Sequence, residues 1–238
     1  MRASRYPRRR SKNTLGLLKM TVLCDWQIKS LCFGGAMEDW SEDLINPASL
    51  DVRLGSNLMI EIAGQKDLLH VDISNKTEKN PYRLTPGEFV LAETHETFKQ
   101  IPDHICAQFA LKSSRAREGY ENLLAGWIDP GFCNSKLTLE LVNVRRHYDL
   151  PLYPGLKIGQ IIFMMMSEVP VNSYSKTGRY NGDAAVQAVK VKANPLASIN
   201  KPDGSSGVAA EFRQCRRSSL CREYLPIDQM THGKNGWV

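Results

Sequence analysis

Between Lys112 and Asn143 the chain reads KSSRAREGYENLLAGWIDPGFCNSKLTLELVN, and this stretch holds the side chains best suited to chemistry. A polar turn rich in hydroxyl and guanidinium groups opens it, with Ser113, Ser114, Arg115 and Arg117. A tight Asp129-Pro130-Gly131 turn stands in the middle, and the strand pattern Leu137-Thr138-Leu139-Glu140-Leu141-Val142 closes it. Side chains alternate along a strand, so Leu137, Leu139 and Leu141 share one face and Glu140 points to the other with Thr138 and Val142. A carboxylate in an apolar strand is costly to bury without a partner. Ser113, Arg117 and Glu140 together could bind an anion, hold a water and remove its proton. A general base works best when its surroundings raise its pKa towards neutrality, and an apolar strand context does that. Taken singly, the three have plainer readings: a solvent-facing strand Glu, a surface Arg and a helix-capping Ser.

Around this stretch the chain is written mainly in strands. Leu23, Ile28 and Leu31 suggest a short helix between Thr21 and Phe33, stopped by Gly34-Gly35. Asn46-Pro47 is a turn. Leu50, Val52 and Leu54 alternate with polar neighbours, as do Leu58, Ile60 and Ile62, which predicts two strands separated by Gly55-Ser56-Asn57. Val71 with Ile73 and Phe89 with Leu91 suggest further strands, and Pro86-Gly87 between them suits a type II turn. Ile105, Ala107, Phe109 and Leu111 form a strand leading into the central stretch, with Cys106 as a small core residue. Beyond Pro154-Gly155, Ile158 to Met166 reads as a nearly continuous buried strand, its Met164-Met165-Met166 run serving as packing. Many short strands with frequent turn signals indicate an all-β barrel or sandwich.

At 238 residues the chain suits one domain with extensions, or at most two small ones. Its 42% apolar share is enough for a sizeable core. No apolar run approaches the roughly 18 residues of a membrane helix, so no membrane partner is expected. Part of the net charge of +6 comes from residues 1–20, which carry Arg and Lys without Asp or Glu. A solvated surface with basic tails accounts for that balance, a triphosphate-handling enzyme also fits it, and no nucleic-acid partner is expected. None of Cys24, Cys32, Cys106, Cys133, Cys215 and Cys221 forms a C-x-x-C pair, which excludes zinc-ribbon and thioredoxin-type sites. With no secretory signal, a disulfide framework is not expected and a cytoplasmic location is the default. Residues 1–19 match a mitochondrial transit peptide in composition, and equally a disordered basic leader or an over-long start before Met20, the plainer readings. Residues 193–238 read as a polar, basic tail, with Asn200 to Gly207 as a linker.

The segments Ser113–Arg117 (SSRAR), Trp127–Phe132 (WIDPGF) and Thr138–Asn143 (TLELVN) occur in an order that resembles the dCTP deaminase family, within the dUTPase-like superfamily. INPASLDVRLG over residues 45–55 and PGLKIGQ over residues 154–160 extend the resemblance, which covers about residues 20 to 192. Several ordered motifs are far more specific than one short pattern. The resemblance implies a distorted β-barrel or jelly-roll of the dUTPase-like type with short helices, assembled as a homotrimer with active sites at subunit interfaces. It implies conversion of dCTP to dUTP and ammonia, a hydrolase reaction feeding thymidylate synthesis.

Zinc-dependent deaminases lower the pKa of water with an H-x-E and a P-C-x-x-C ligand set. Neither occurs here, since His95-Glu96 is adjacent rather than spaced. The resemblance instead implies a metal-free mechanism with Glu140 as general base and Arg117 and Ser113 holding and polarising the water and amine. Mg²⁺ is expected only on the triphosphate, as its preference for phosphate and water ligands suggests. The implied substrate-binding set is Ser114, Arg115, Ala125, Trp127, Asp129, Tyr174, Arg179 and Asp183. Asp129 would lie under the deoxyribose, and Tyr174 with Arg179-Tyr180-Asn181-Gly182-Asp183 would close over base and triphosphate. Five positions depart from the family pattern. Arg115 replaces an apolar residue, Leu123-Leu124 replaces Val-Thr, Arg179 replaces Lys, and Asp183 replaces Gln. An anion at Asp183 is expected to repel phosphate, which favours intact dUTP as product over dUMP. The rivals are a dUTPase or a bifunctional enzyme giving dUMP, and a nucleotide-binding regulator without turnover. Asp203-Gly204-Ser205-Ser206-Gly207 is a poor match to a dUTPase lid.

Overall fold

Alternation of apolar and polar residues becomes five principal strands: β1 (Ser49–Ile60), β2 (Phe89–Gln100), β3 (Ile105–Leu111), β4 (Cys133–Asn143) and β5 (Lys157–Met165). They belong to a computed structural model that describes residues 21–190. The expected leader over 1–19 and tail over 193–238, with Asp203–Gly207, lie outside the described residues. All strand pairs are antiparallel, and the main sheet runs Trp127–Ile128, β3, β5, β1, β2, β4, Tyr120–Glu121. Three short helices accompany it: α1 (Asp25–Phe33), α2 (Ser113–Glu118) and α3 (Tyr174–Thr177). The result is a mainly β, curled half-barrel, in keeping with the mainly β, distorted barrel expected.

The curl is set in β1. Its first half pairs with β5, from Leu50 opposite Ile161 to Arg53 opposite Lys157. Its second half pairs with β2, from Leu54 opposite Thr94 to Ile60 opposite Val90, with a bulge between Leu54 and Leu58. A bulge adds a residue to one strand and sharpens its twist, so the sheet folds over on itself there. This corrects the sequence reading of two strands: Gly55-Ser56-Asn57 does not break β1 but is absorbed as the bulge, and Ile62 lies beyond the strand. Leu50, Val52, Leu54, Leu58, Val90, Ala92, Phe98, Leu139, Leu141 and Ile161 are buried in one core cluster. Each large member contributes about 1.5–3 kcal/mol by leaving water. In the methionine run only Met164 is buried, while Met165 pairs with Thr21 at an edge and is exposed.

The expected polar turn at Ser113 is instead a short helix, α2. Lys112 is its extended N-cap residue. Gly119 ends it with φ +111, and its N–H reaches Ala116 O and Arg115 O. Only glycine enters that left-handed region without penalty. No helix among the described residues is long and apolar enough to cross a membrane.

Candidate active site

Glu140 lies on β4 opposite Leu91 of β2, in the register that buries Leu139 and Leu141 on the other face. The expected facing of this strand holds. The Glu140 side chain is half-buried, and its Oε2 is buried with no hydrogen-bond partner. Desolvation raises its pKa above the usual carboxylate value, opposed in part by its own backbone N–H. A carboxylate so placed holds its proton more readily than one in water and is suited to taking a proton from a substrate water.

The SSRAR segment is positioned from beneath. Lys112 N–H donates to Ile158 O at 3.2 Å. Lys112 Nζ grips both oxygens of buried Asp51 at 2.7 and 2.6 Å, and Asn46 Nδ2 donates to the same carboxylate at 2.7 Å. The residue that caps α2 is thus tied to β1 and β5 at once. Ser113, Ser114 and Arg117 project from this base into solvent. Arg115 turns back instead, with Nη1 2.5 Å from Glu118 Oε2. Within one protomer no hydrogen bond joins Glu140 to Ser113 or Arg117 among the described residues.

Asp129 and Trp127 come together, with the indole Nε1 donating to Asp129 Oδ1 at 3.1 Å; both are exposed, as is Ala125. Phe132 N–H closes the expected turn on Asp129 O at 3.2 Å, with Gly131 at φ +86.

The closing segment docks beside this turn. Tyr174 N–H donates to Pro130 O at 2.9 Å, and its ring packs on Phe132 at a centroid distance of 6.0 Å. The Tyr174 hydroxyl accepts from Tyr180 N–H at 3.2 Å. The chain then runs along β4. Asn181 Oδ1 accepts from Cys133 N–H at 2.9 Å, Asp183 O accepts from Lys136 N–H at 2.9 Å, and Gln187 N–H donates to Thr138 Oγ1 at 3.3 Å. Arg179 is exposed, its Nη1 3.4 Å from Lys190 O. Asp183 differs from its expected state. Its Oδ1 pairs with Lys190 Nζ at 2.5 Å, while its Oδ2 is buried without a hydrogen-bond partner, so the carboxylate is paired rather than isolated.

Three buried carboxylates escaped the sequence reading: Asp51, Glu93 and Glu96. Glu96 accepts from Arg53 N–H at 2.8 Å and from Arg53 Nε at 2.7 Å. Their partners are remote in sequence, and only the excess of acids in otherwise apolar strands hinted at them. Among the described residues no three His, Cys, Asp or Glu side chains converge as a metal-ligand set.

A curled antiparallel sheet of this order, with the carboxylate strand beside its second long strand, defines a mainly β half-barrel. The model of the family described as dCTP deaminase-like matches residues 22–166, and the chain belongs to that family. A "dCTP deaminase, dUMP-forming" of Methanosphaerula palustris is 36% identical over 172 residues, covering 68% of this chain and 90% of the relative. One from Methanosphaera stadtmanae, with the same name, is 33% identical and covers 73% and 95%. A third of that name, from Nocardioides sp., is 37% identical and covers 62% and 82%. Among solved structures, the 2'-deoxycytidine 5'-triphosphate deaminase of Agrobacterium tumefaciens superposes with a TM-score of 0.51 at 24% identity. That match covers 61% of this chain and 48% of the other, and it speaks to the fold alone.

Proposed function

We propose that this chain deaminates dCTP with Glu140 as general base and releases dUMP. The observation that carries the reading is the half-buried Glu140, with an unpartnered Oε2 and a pKa raised by burial, in the strand motif of a dCTP deaminase-like family. Glu140 takes a proton from water, and the hydroxide attacks C4 of the cytosine. The proton passes to ring N3 and a second reaches the exocyclic amine, which leaves as ammonia while C4 becomes a carbonyl. Arg117 and Ser113 hold the water and amine. Asp129 accepts from the 3'-hydroxyl. Ser114 and the closing segment with Tyr174 and Arg179 take the triphosphate, which brings Mg²⁺ with it. Arg115 joins them only by exchanging Glu118 for phosphate. A second water attacks the α-phosphorus, so that dCTP and two waters give dUMP, pyrophosphate and ammonia. The enzyme acts as a homotrimer in the cytoplasm, in pyrimidine deoxynucleotide synthesis.

Two observations support reading dUMP rather than dUTP as the product. Lys190 pairs with Asp183, which weakens the expectation that this carboxylate repels phosphate. The curated relatives described above all carry "dUMP-forming" in their names. The same pairing weakens one of the two grounds for a nucleotide-binding regulator without turnover; the other, the tail, lies outside the described residues. Chromatography of a dCTP and Mg²⁺ reaction tests the reading: ammonia, dUMP and pyrophosphate should rise together without free dUTP. Ammonia with accumulating dUTP would restore the one-reaction enzyme, and bound nucleotide with no ammonia would sink deamination.

A further inference from the structure

We infer that Glu93 is a positioning residue of this reaction: a buried carboxylate that fastens the closing segment over the face of β4 carrying Glu140. The inference rests on the function proposed above. Glu93 is 1% exposed, and it lies opposite Thr138 in the β2–β4 register, one step along the same face from Leu91 and Glu140. Its Oε2 accepts from Val186 N–H at 2.7 Å. The next amide, Gln187 N–H, donates to Thr138 Oγ1 at 3.3 Å. Two cross-strand neighbours therefore hold two consecutive amides of the closing segment, and Val186 itself is buried.

The rest of the pocket is shaped for a carboxylate. Oε1 accepts from Asn57 Nδ2 at 2.7 Å and stands 3.8 Å from Lys136 Nζ. Gly55 leaves the room, since a Cβ there would come within 2.6 Å of Glu93 Cγ. Both oxygens face N–H donors, one a fixed backbone amide at Val186 and the other the Asn57 side-chain amide, which can turn over. A glutamine keeps the acceptor for Val186 and gives its NH₂ to Asn57 once that amide turns, whereas a leucine offers no acceptor at all. Without Glu93, the segment that ends in the Asp183–Lys190 pair is held to this part of the sheet by the Thr138 bond and the bonds upstream at Cys133, Ser135 and Lys136.

The test uses the full chain with the Glu93→Leu variant and the conservative Glu93→Gln variant. In Glu93→Gln the carbonyl oxygen serves Val186 and the NH₂ donates to the turned Asn57 amide, so the bonds are kept and only the charge is lost. In Glu93→Leu the Val186 amide has no acceptor, and loss of a buried bond to a charged acceptor should speed hydrogen exchange at the Val186 and Gln187 amides about tenfold, beyond any change at the β1 and β2 amides. KM for dCTP should rise about tenfold in Glu93→Leu with kcat changed far less, and both effects should be largely absent in Glu93→Gln. Unchanged exchange at Val186 and Gln187 in Glu93→Leu overturns the inference, as does acceleration spread equally over the β1 and β2 amides. A kcat loss at constant KM does so too, since it would report fewer folded sites rather than a loosened segment. A parent protein that turns over no dCTP would sink the activity proposed above, while the exchange rates would still decide whether Glu93 is the anchor.

Discussion

At the scale of single residues, Glu140 combines two demands that oppose each other. It must be ionised to take a proton, yet burial disfavours its charge. Its folded-state pKa lies above the unfolded value, so the folded protein binds the extra proton between the two. Stability from this group is therefore fully present below the unfolded value and is lost as pH rises through the raised one. Glu140→Gln removes that cost. The variant should unfold at higher urea than the parent at pH 7, and the gap should vanish below about pH 4. Ammonia release should fall by about 10²–10⁴-fold while dCTP still binds. In the parent, activity should decline on acidification at a pH above that of an ordinary carboxylate. A variant with near-parental turnover would remove Glu140 from the role of base. This residue was legible because strand alternation is strictly local: Leu139 and Leu141 fix where Glu140 points. Asp183 was not, because the lysine that pairs with it is in the same segment but meets it only when the segment turns back.

At the scale of elements, α2 is too short to hold its own shape and depends on what ties its ends. An isolated helix of six residues is far below the length that is stable in water. Gly119 closes one end, and the Asp51–Lys112 pair secures the other. Asp51 is nearly inaccessible, so removing its cation leaves a buried charge with only Asn46 as donor. Lys112→Met should cost about 3 kcal/mol in urea unfolding at fixed protein concentration. The double variant with Asp51→Asn should recover most of that loss, because no bare charge remains. Equal stability of Lys112→Met and parent would show that α2 does not rest on this pair. The same contact explains why much of the scaffold was hidden in the sequence. Strands, turns and α1 declare themselves through neighbours a few residues away. Asp51 meets Lys112 across 61 residues, and Glu96 meets Arg53 across 43, a pairing that only the folded sheet supplies. The continuity of β1 through Gly55 was hidden likewise, since a bulge depends on the partner strand.

At the scale of the whole molecule, Glu140 and the α2 side chains expected to work with it make no hydrogen bond to one another within the one chain described. The inner side of α2 is used up: Lys112 reaches Asp51 and Arg115 reaches Glu118. Its outer side, with Ser113, Ser114 and Arg117, faces solvent, and the Glu140 Oε2 meets none of them. Leu123, Leu124 and Trp127, which follow α2 in the chain, are exposed as well, with Leu124 96% exposed at φ +58. Large apolar side chains left on a surface suit a contact with another chain. A second copy that covers them can bring its Glu140 to the Arg117 of the first, which is the arrangement expected of a homotrimer with sites at its junctions. Mixing of two inactive variants tests this. Glu140→Gln subunits keep Arg117, and Arg117→Ala subunits keep Glu140. In a cyclic trimer containing both, going round the ring, just one junction places an intact Arg117 next to an intact Glu140. Mixed trimers, isolated by two different tags, should therefore show about a third of the parental activity, although each variant alone is inactive. If both residues act within one protomer, every site in a mixed trimer carries a defect. Activity at the level of the single variants would then place the whole constellation in one chain.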